Sequence, residues 1–92
     1  MKLDSLLHQE LRLAIVSFLM NVEWANFNSL LKATEASKGN LSVQLKKLET
    51  ANYIDIQKRF KDNYPLTEAR LTETGKDALE KYIIELKKML GI

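Results

Sequence analysis

The chain contains no cysteine. Disulfides, thiolate-bound zinc, thiolate metal sensors and thiol redox switches are therefore excluded. Histidine occurs once, as His8. One imidazole cannot complete a transition-metal site, and it leaves few routes to acid–base catalysis. No metal and no cofactor is expected. Proline is also single, Pro65, and glycine occurs three times, so each backbone break carries weight. Apolar runs extend for only a few residues, far short of a membrane span. The start, Met1-Lys2-Leu3-Asp4, places an acid early, with no apolar stretch behind it, unlike a secretory leader. These absences predict a soluble, cytoplasmic protein.

What remains is ordinary for a globular domain: 46% apolar and 28% charged residues in a chain of 92. That length predicts one domain spanning 1–92, with a core small enough that dimerisation would help it. The net charge of +2 is unevenly spread. Residues 1–36 hold Lys2, Arg12 and Lys32 against Asp4, Glu10, Glu23 and Glu35, a net −1. Residues 37–61 hold Lys38, Lys46, Lys47, Lys58, Arg59 and Lys61 against Glu49 and Asp55, a net +4. Residues 62–92 carry five bases and six acids, a net −1. A central basic patch fits a polyanionic partner. Charge alone fits a solvated lysine-rich surface equally well.

Periodicity gives the elements. Leu7, Leu11, Ile15, Phe18, Leu19 and Val22 recur at three- and four-residue steps, which predicts a first helix over about Leu3–Val22. Asp4 or Ser5 can cap it. Leu13, Val16 and Met20 widen its apolar face, so that it could meet both its own core and a partner. A break follows at Asn21–Ala25. Asn26 can cap a short helix, Phe27 to about Ala33, and Ser37 a longer one, about Lys38 to Ala51. Asn52 suits the left-handed position that closes a helix. The pair forms a helix-turn-helix over about 27–51. Alternation then replaces helical spacing from Ile54 to Lys58 and returns at Ala69 and Leu71, predicting a hairpin over about 53–72. Asp62-Asn63 and Pro65 mark residues 59–66 as a long basic tip loop. Phe60 is expected in the core, and Tyr64 is left open. Thr72 can cap a final helix over about 73–90 through the amide near Gly75. The predicted class is mainly α with a small β-hairpin (α+β): a winged helix-turn-helix flanked by N- and C-terminal dimerisation helices.

The third helix carries the candidate chemistry. At about 100° per residue, Leu41, Leu45 and Leu48 point one way. Gly39, Val43, Lys46 and Thr50 point the other, flanked by Asn40, Lys47 and Ser42. No acid lies on that face, and Glu49 sits at the edge of the core side. Lysines suit phosphates or guanine acceptors, Asn40 an adenine or a phosphate, Ser42 either task, and Val43 a thymine methyl. Gly39 permits close backbone approach, and the helix N-terminus offers free amides to a phosphate. Lys58, Arg59, Lys61, Asn63 and Tyr64 occupy the hairpin tip, where contact with the backbone or minor groove of duplex DNA is expected. Asp62 opposes deep insertion.

Several segments resemble the winged helix regulators related to MarR and ArsR, in their short stand-alone form. They are Leu3-Asp4, His8 to Leu13, Ser37-Lys38-Gly39-Asn40-Leu41-Ser42, Leu45-Lys46-Lys47-Leu48-Glu49, Ala51-Asn52-Tyr53-Ile54 and Leu71-Thr72-Glu73-Thr74-Gly75. The last matches the Leu-Thr-x-x-Gly that follows the wing in MarR-like proteins. The resemblance implies a DNA-binding homodimer with first and last helices at the interface. It assigns base contacts to Lys38, Asn40, Ser42, Val43 and Lys46, and backbone contacts to the wing. Asn52 departs from the usual Gly, and the wing holds fewer arginines than the subgroup tends to carry. Metal sensing of the ArsR type does not carry over, because its ligands are absent. Small aromatic effectors bind many MarR-like proteins near the dimer interface, but no residue pattern here indicates such a site.

The apolar residues of the last helix support a dimer. With the first helix they give Leu3, Leu7, Leu11, Tyr82, Ile83, Leu86, Met89 and Leu90 as candidate interface residues; folding back onto its own domain is the alternative for the last helix. His8 is expected to pack or to sit in the interface. Two other functions compete with DNA binding. A winged helix can serve as a protein-interaction module, which would want apolar residues on the outer face of the third helix, where only Val43 stands. An enzyme would need clustered acids, bases or nucleophiles, and none is evident.

Overall fold

The computed structural model describes residues 2–92. Its order is α1 (Glu10–Leu19), β1 (Ala25–Asn26), α2 (Phe27–Thr34), α3 (Lys38–Thr50), β2 (Ile54–Lys61), β3 (Tyr64–Leu71) and α4 (Glu73–Leu90). The strands form one antiparallel sheet in the order β1-β3-β2. Helices and sheet close over a core of Leu7, Ile15, Val16, Leu19, Leu30, Leu41, Leu45, Leu48, Ile54, Ala69, Leu79 and Tyr82. Each fully buried leucine there contributes about 1.5–3 kcal/mol of transfer free energy.

Local chemistry sets most of the boundaries. The Asn26 side chain accepts from the Ser29 amide, Ser37 from Asn40 and Thr72 from Gly75, so all three N-caps stand where expected. Asn52 is left-handed, with φ 63°. Its amide donates to the Glu49 carbonyl at 2.9 Å and that of Tyr53 to Leu48 at 2.9 Å, a Schellman closure of α3. Glu35, also left-handed, closes α2.

Four expectations need correction. The first helix begins at Glu10, capped by Gln9, not near Leu3. Asp4 caps a preceding turn instead, accepting from the amides of Leu6 at 2.8 Å and Leu7 at 3.2 Å. The break at Asn21–Ala25 ends in a strand, β1, which is only two residues long and so has no period to detect. The hairpin tip is tight. Lys61 pairs with Tyr64 across Asp62-Asn63, and both turn residues have positive φ, 51° and 67°, as a two-residue hairpin turn requires. Pro65 is tolerated because the 60–65 pair is a non-hydrogen-bonded one and β1 reaches β3 only at Glu68 and Ala69. Finally, Phe60 is 77% exposed. Its parity is that of Ile54 and Ile56, but it lies about 13 Å further along the strand than Ile56, beyond the end of the core.

One junction joins the parts. The Tyr53 carbonyl accepts from the Thr72 amide at 3.0 Å. The Thr72 hydroxyl donates to the Asn52 carbonyl at 2.7 Å and caps Gly75. A Cβ on Gly75 would stand 2.2 Å from the Tyr53 carbonyl oxygen and 2.8 Å from a Leu71 methyl. The Leu-Thr-x-x-Gly run is thus a docking device: α4 starts against the backbone that leaves α3. The Tyr53 hydroxyl donates to the Asp4 carboxylate, tying the N-terminal turn to the same point. Burial first, then this bond and the carboxylate's charge, push the Tyr53 phenol up to about 12.

Gly75→Ala should lower stability by about 1–3 kcal/mol, since a hydrogen-bonded carbonyl cannot yield to the added methyl; thermal and denaturant unfolding would measure it. Tyr53 adds a pH dependence. A raised phenol contributes stability that is complete below its unfolded value near 10 and declines as pH climbs toward 12. The stability difference between the native chain and Tyr53→Phe should therefore shrink between pH 10 and 12. A constant difference would mean that neither burial nor Asp4 raises the phenol in the folded chain.

Candidate nucleic-acid interface

The outer face of α3 is free. Ser37, Lys38, Gly39, Asn40, Ser42, Val43, Lys46 and Lys47 are all exposed, while Leu41, Gln44, Leu45 and Leu48 are buried. A Cβ on Gly39 would meet nothing within 4 Å, so glycine is not needed there for folding. Lys46 is partly neutralised by Glu49, at 3.3 Å. Lys38 and Lys47 have no acid beside them among the described residues.

The wing residues divide by strand parity. Lys58 and Thr67 are cross-strand partners on the side of β2 and β3 that carries Ile56. Together with Phe27, Ser42, Lys46 and Glu49 they line a groove between wing and helix. Arg59, Lys61 and Tyr64 face the other way. Arg59 Nε lies 2.9 Å from a Glu68 carboxylate that is itself mostly covered, and Gln57 donates to the same oxygen at 3.0 Å. Asn63 occupies the turn, and Tyr64 is 75% exposed. The structure thus brings Lys58 to the α3 face and leaves Arg59, Lys61 and Tyr64 on the far side.

A helix with a basic outer face beside a basic hairpin is the arrangement of a known DNA-binding unit, and comparison with known proteins agrees. The model of the winged helix DNA-binding domain matches residues 11–90. The chain belongs to the winged helix DNA-binding domain family. An uncharacterized protein of Methanocaldococcus jannaschii is 30% identical over 78 residues, 85% of each chain. The transcriptional regulator homologue of Pyrococcus horikoshii superposes with a TM-score of 0.87 at 26% identity, over 94% of this chain and 85% of that one. AbsC, a MarR family transcriptional regulator from Streptomyces coelicolor, gives a TM-score of 0.69 at 26% identity, over 84% of this chain and 55% of that one. The resemblance to winged helix regulators read from the residues is therefore correct, and this is a fold of DNA-binding regulators, not of enzymes. No helix among the described residues is long and apolar enough to cross a membrane.

The winged helix differs from expectation along its flanking elements. Leu7, Leu11 and Tyr82 are buried in this chain's own core, so they are not free to meet a partner. The inward stripe of α4 is Gly75, Leu79, Tyr82 and half-buried Leu86, at helical steps that leave Ile83 outside. Leu3 is also half-buried. Ile83, Ile84, Met89 and Leu90 remain exposed on α4. Spacing identifies an apolar stripe but not what covers it. His8 lies against the same helix, its Nδ1 2.9 Å from the Tyr82 hydroxyl.

Three residues of the site were not anticipated. Glu68 removes the free charge of Arg59. Gln44, 8% exposed, stands among the core leucines of α3, and Arg12 reaches it from α1, Nη1 to Oε1, at 2.6 Å. A polar residue at a core-facing angle of a helix is the signal that would have found Gln44.

Proposed function

We propose that this chain is a single-domain, cytoplasmic transcriptional regulator that binds duplex DNA sequence-specifically as a homodimer. The α3 face enters the major groove, and the wing follows the backbone or minor groove. The observation that carries this reading is the shared groove: Ser42 and Lys46 of α3 face Lys58 of β2 across it, so one duplex could touch helix and wing together. Only Val43 is apolar on the outer face of α3, and it is 51% exposed. A protein-interaction module without direct DNA reading would want more. Homodimerisation is supported by Ile83, Ile84, Met89 and Leu90, which leave an apolar surface on the distal half of α4. A two-fold axis there would space two recognition helices about 34 Å apart, for a palindromic site.

Fluorescence anisotropy with random-sequence duplex at several salt concentrations tests the reading. Micromolar binding that weakens steeply with salt is expected; no binding at low salt would turn the search to protein partners. Lys46→Ala, Lys47→Ala and Lys58→Ala should each reduce the salt slope by about one. Arg59→Ala should change it less, because Glu68 already holds that cation.

The dimer has its own test. Sedimentation should find two chains, and Ile84→Glu with Leu90→Glu should give a folded monomer with weaker operator binding. A native chain that sediments as a monomer at tens of micromolar would remove the two-fold arrangement.

A further inference from the structure

Arg12, Gln44 and Asn40 form a chain of hydrogen bonds from α1 to the outer face of α3. Arg12 Nε donates to the Leu6 carbonyl at 2.6 Å, and its Nη1 donates to Gln44 Oε1 at 2.6 Å. Gln44 Nε2 donates to Asn40 Oδ1 at 3.0 Å. The direction of this relay is fixed chemically. A guanidinium can only donate. Gln44 must therefore turn its oxygen to Arg12 and its NH2 toward Asn40. Asn40 must answer with its oxygen, which leaves its own NH2 outward. That NH2 has no partner among the described residues.

We infer that this relay sets the base that Asn40 reads, making Gln44 and Arg12 positioning residues for specificity. The inference rests on the DNA-binding reading above. The paired contact of an asparagine with adenine uses the amide oxygen to accept from N6 and the NH2 to donate to N7. Here the oxygen is held inward. Asn40 instead offers donors to a groove edge, which matches guanine, whose N7 and O6 are adjacent acceptors. Asn40 is the third residue of α3, in the N-terminal part of a recognition helix that meets base edges.

Gln44→Glu reverses the relay with almost no change of shape. One carboxylate oxygen would still accept from Arg12. The other can only accept, so Asn40 would have to donate its NH2 inward and turn its oxygen to the DNA. An outward acceptor fits cytosine N4 or adenine N6.

The free protein tests the relay without DNA. The Asn40 side-chain NH2 should exchange rapidly with solvent in the native chain and slowly in Gln44→Glu, by NMR with circular dichroism to confirm folding. Equal exchange in both would overturn the relay whatever the DNA result. Selection from a random duplex pool then tests the reading. Asn40→Ala should erase a preference at one base pair of each half-site. That pair should carry guanine for the native chain and switch to cytosine or adenine in Gln44→Glu, by about tenfold. Adenine in the native selection, no base pair dependent on Asn40, or the same base in both chains would overturn the assignment. Failure of the native chain to select or bind DNA, with the exchange pattern as expected, would instead refute the DNA-binding reading and with it any role of the relay in base choice.

Discussion

The close approach of Gly75 to the Tyr53 carbonyl is the constraint on which the arrangement of the other elements depends. With 2.2 Å between that oxygen and a hypothetical Cβ, the helix that follows the wing can begin only where no side chain stands. The carbonyl leaves α3 through the left-handed Asn52, accepts from Thr72, and is followed directly by β2. The end of α3, the base of the hairpin and the start of α4 therefore share one backbone point. The Tyr53 hydroxyl adds the N-terminal turn through Asp4. A domain of this size has little apolar surface to bury, and a backbone junction orders its elements without needing more.

That junction also decides which parts extend beyond the core. The hairpin is held at its base by Ile54 and Ala69, and its far end carries Phe60, Tyr64 and Pro65 into solvent. The first half of α4 is held by Gly75, Leu79 and Tyr82, and its far end carries Ile84, Met89 and Leu90 outward. The molecule is accordingly elongated, 51 by 25 by 21 Å. One projection is basic and short-turned, the other apolar. The first suits a polyanion and the second another apolar surface, so one small core supports two different kinds of contact.

How much of this could be read from residues follows the range of the interactions. The caps at Asn26, Ser37 and Thr72 and the closure at Asn52 act within three or four residues, and their positions were legible. The basic outer face of α3 was legible too, because a turn of helix separates inside from outside by spacing alone. What failed depends on distant partners. Leu7 and Leu11 keep helical spacing, yet only the fold reveals that the chain's own core already covers them. Phe60 has the parity of a core residue, but parity does not say where the core stops. Arg59 reads as a free cation until β3 brings Glu68 beside it. Residues 59–66 read as a loop because Pro65 is a breaker in isolation; its missing amide matters only where a neighbouring strand would have used it.

The buried amide of Gln44 gives α3 an orientation that leucine packing alone would not fix. Leu41, Leu45 and Leu48 bind α3 to the core, but apolar contacts are non-directional and tolerate small rotations. A rotation about the axis of α3 re-aims its outer residues, and a whole residue step is about 100°. Gln44 resists this. Burying an amide costs free energy unless both its ends are paired, and here both are: the oxygen to Arg12 and the nitrogen to Asn40. Slippage of α3 against α1 would break the 2.6 Å bond from Arg12 and leave the buried Gln44 oxygen unpaired. The angular setting of the face that carries Lys38, Asn40, Ser42 and Lys46 is therefore held by a directional hydrogen bond from α1, where the leucines supply the adhesion.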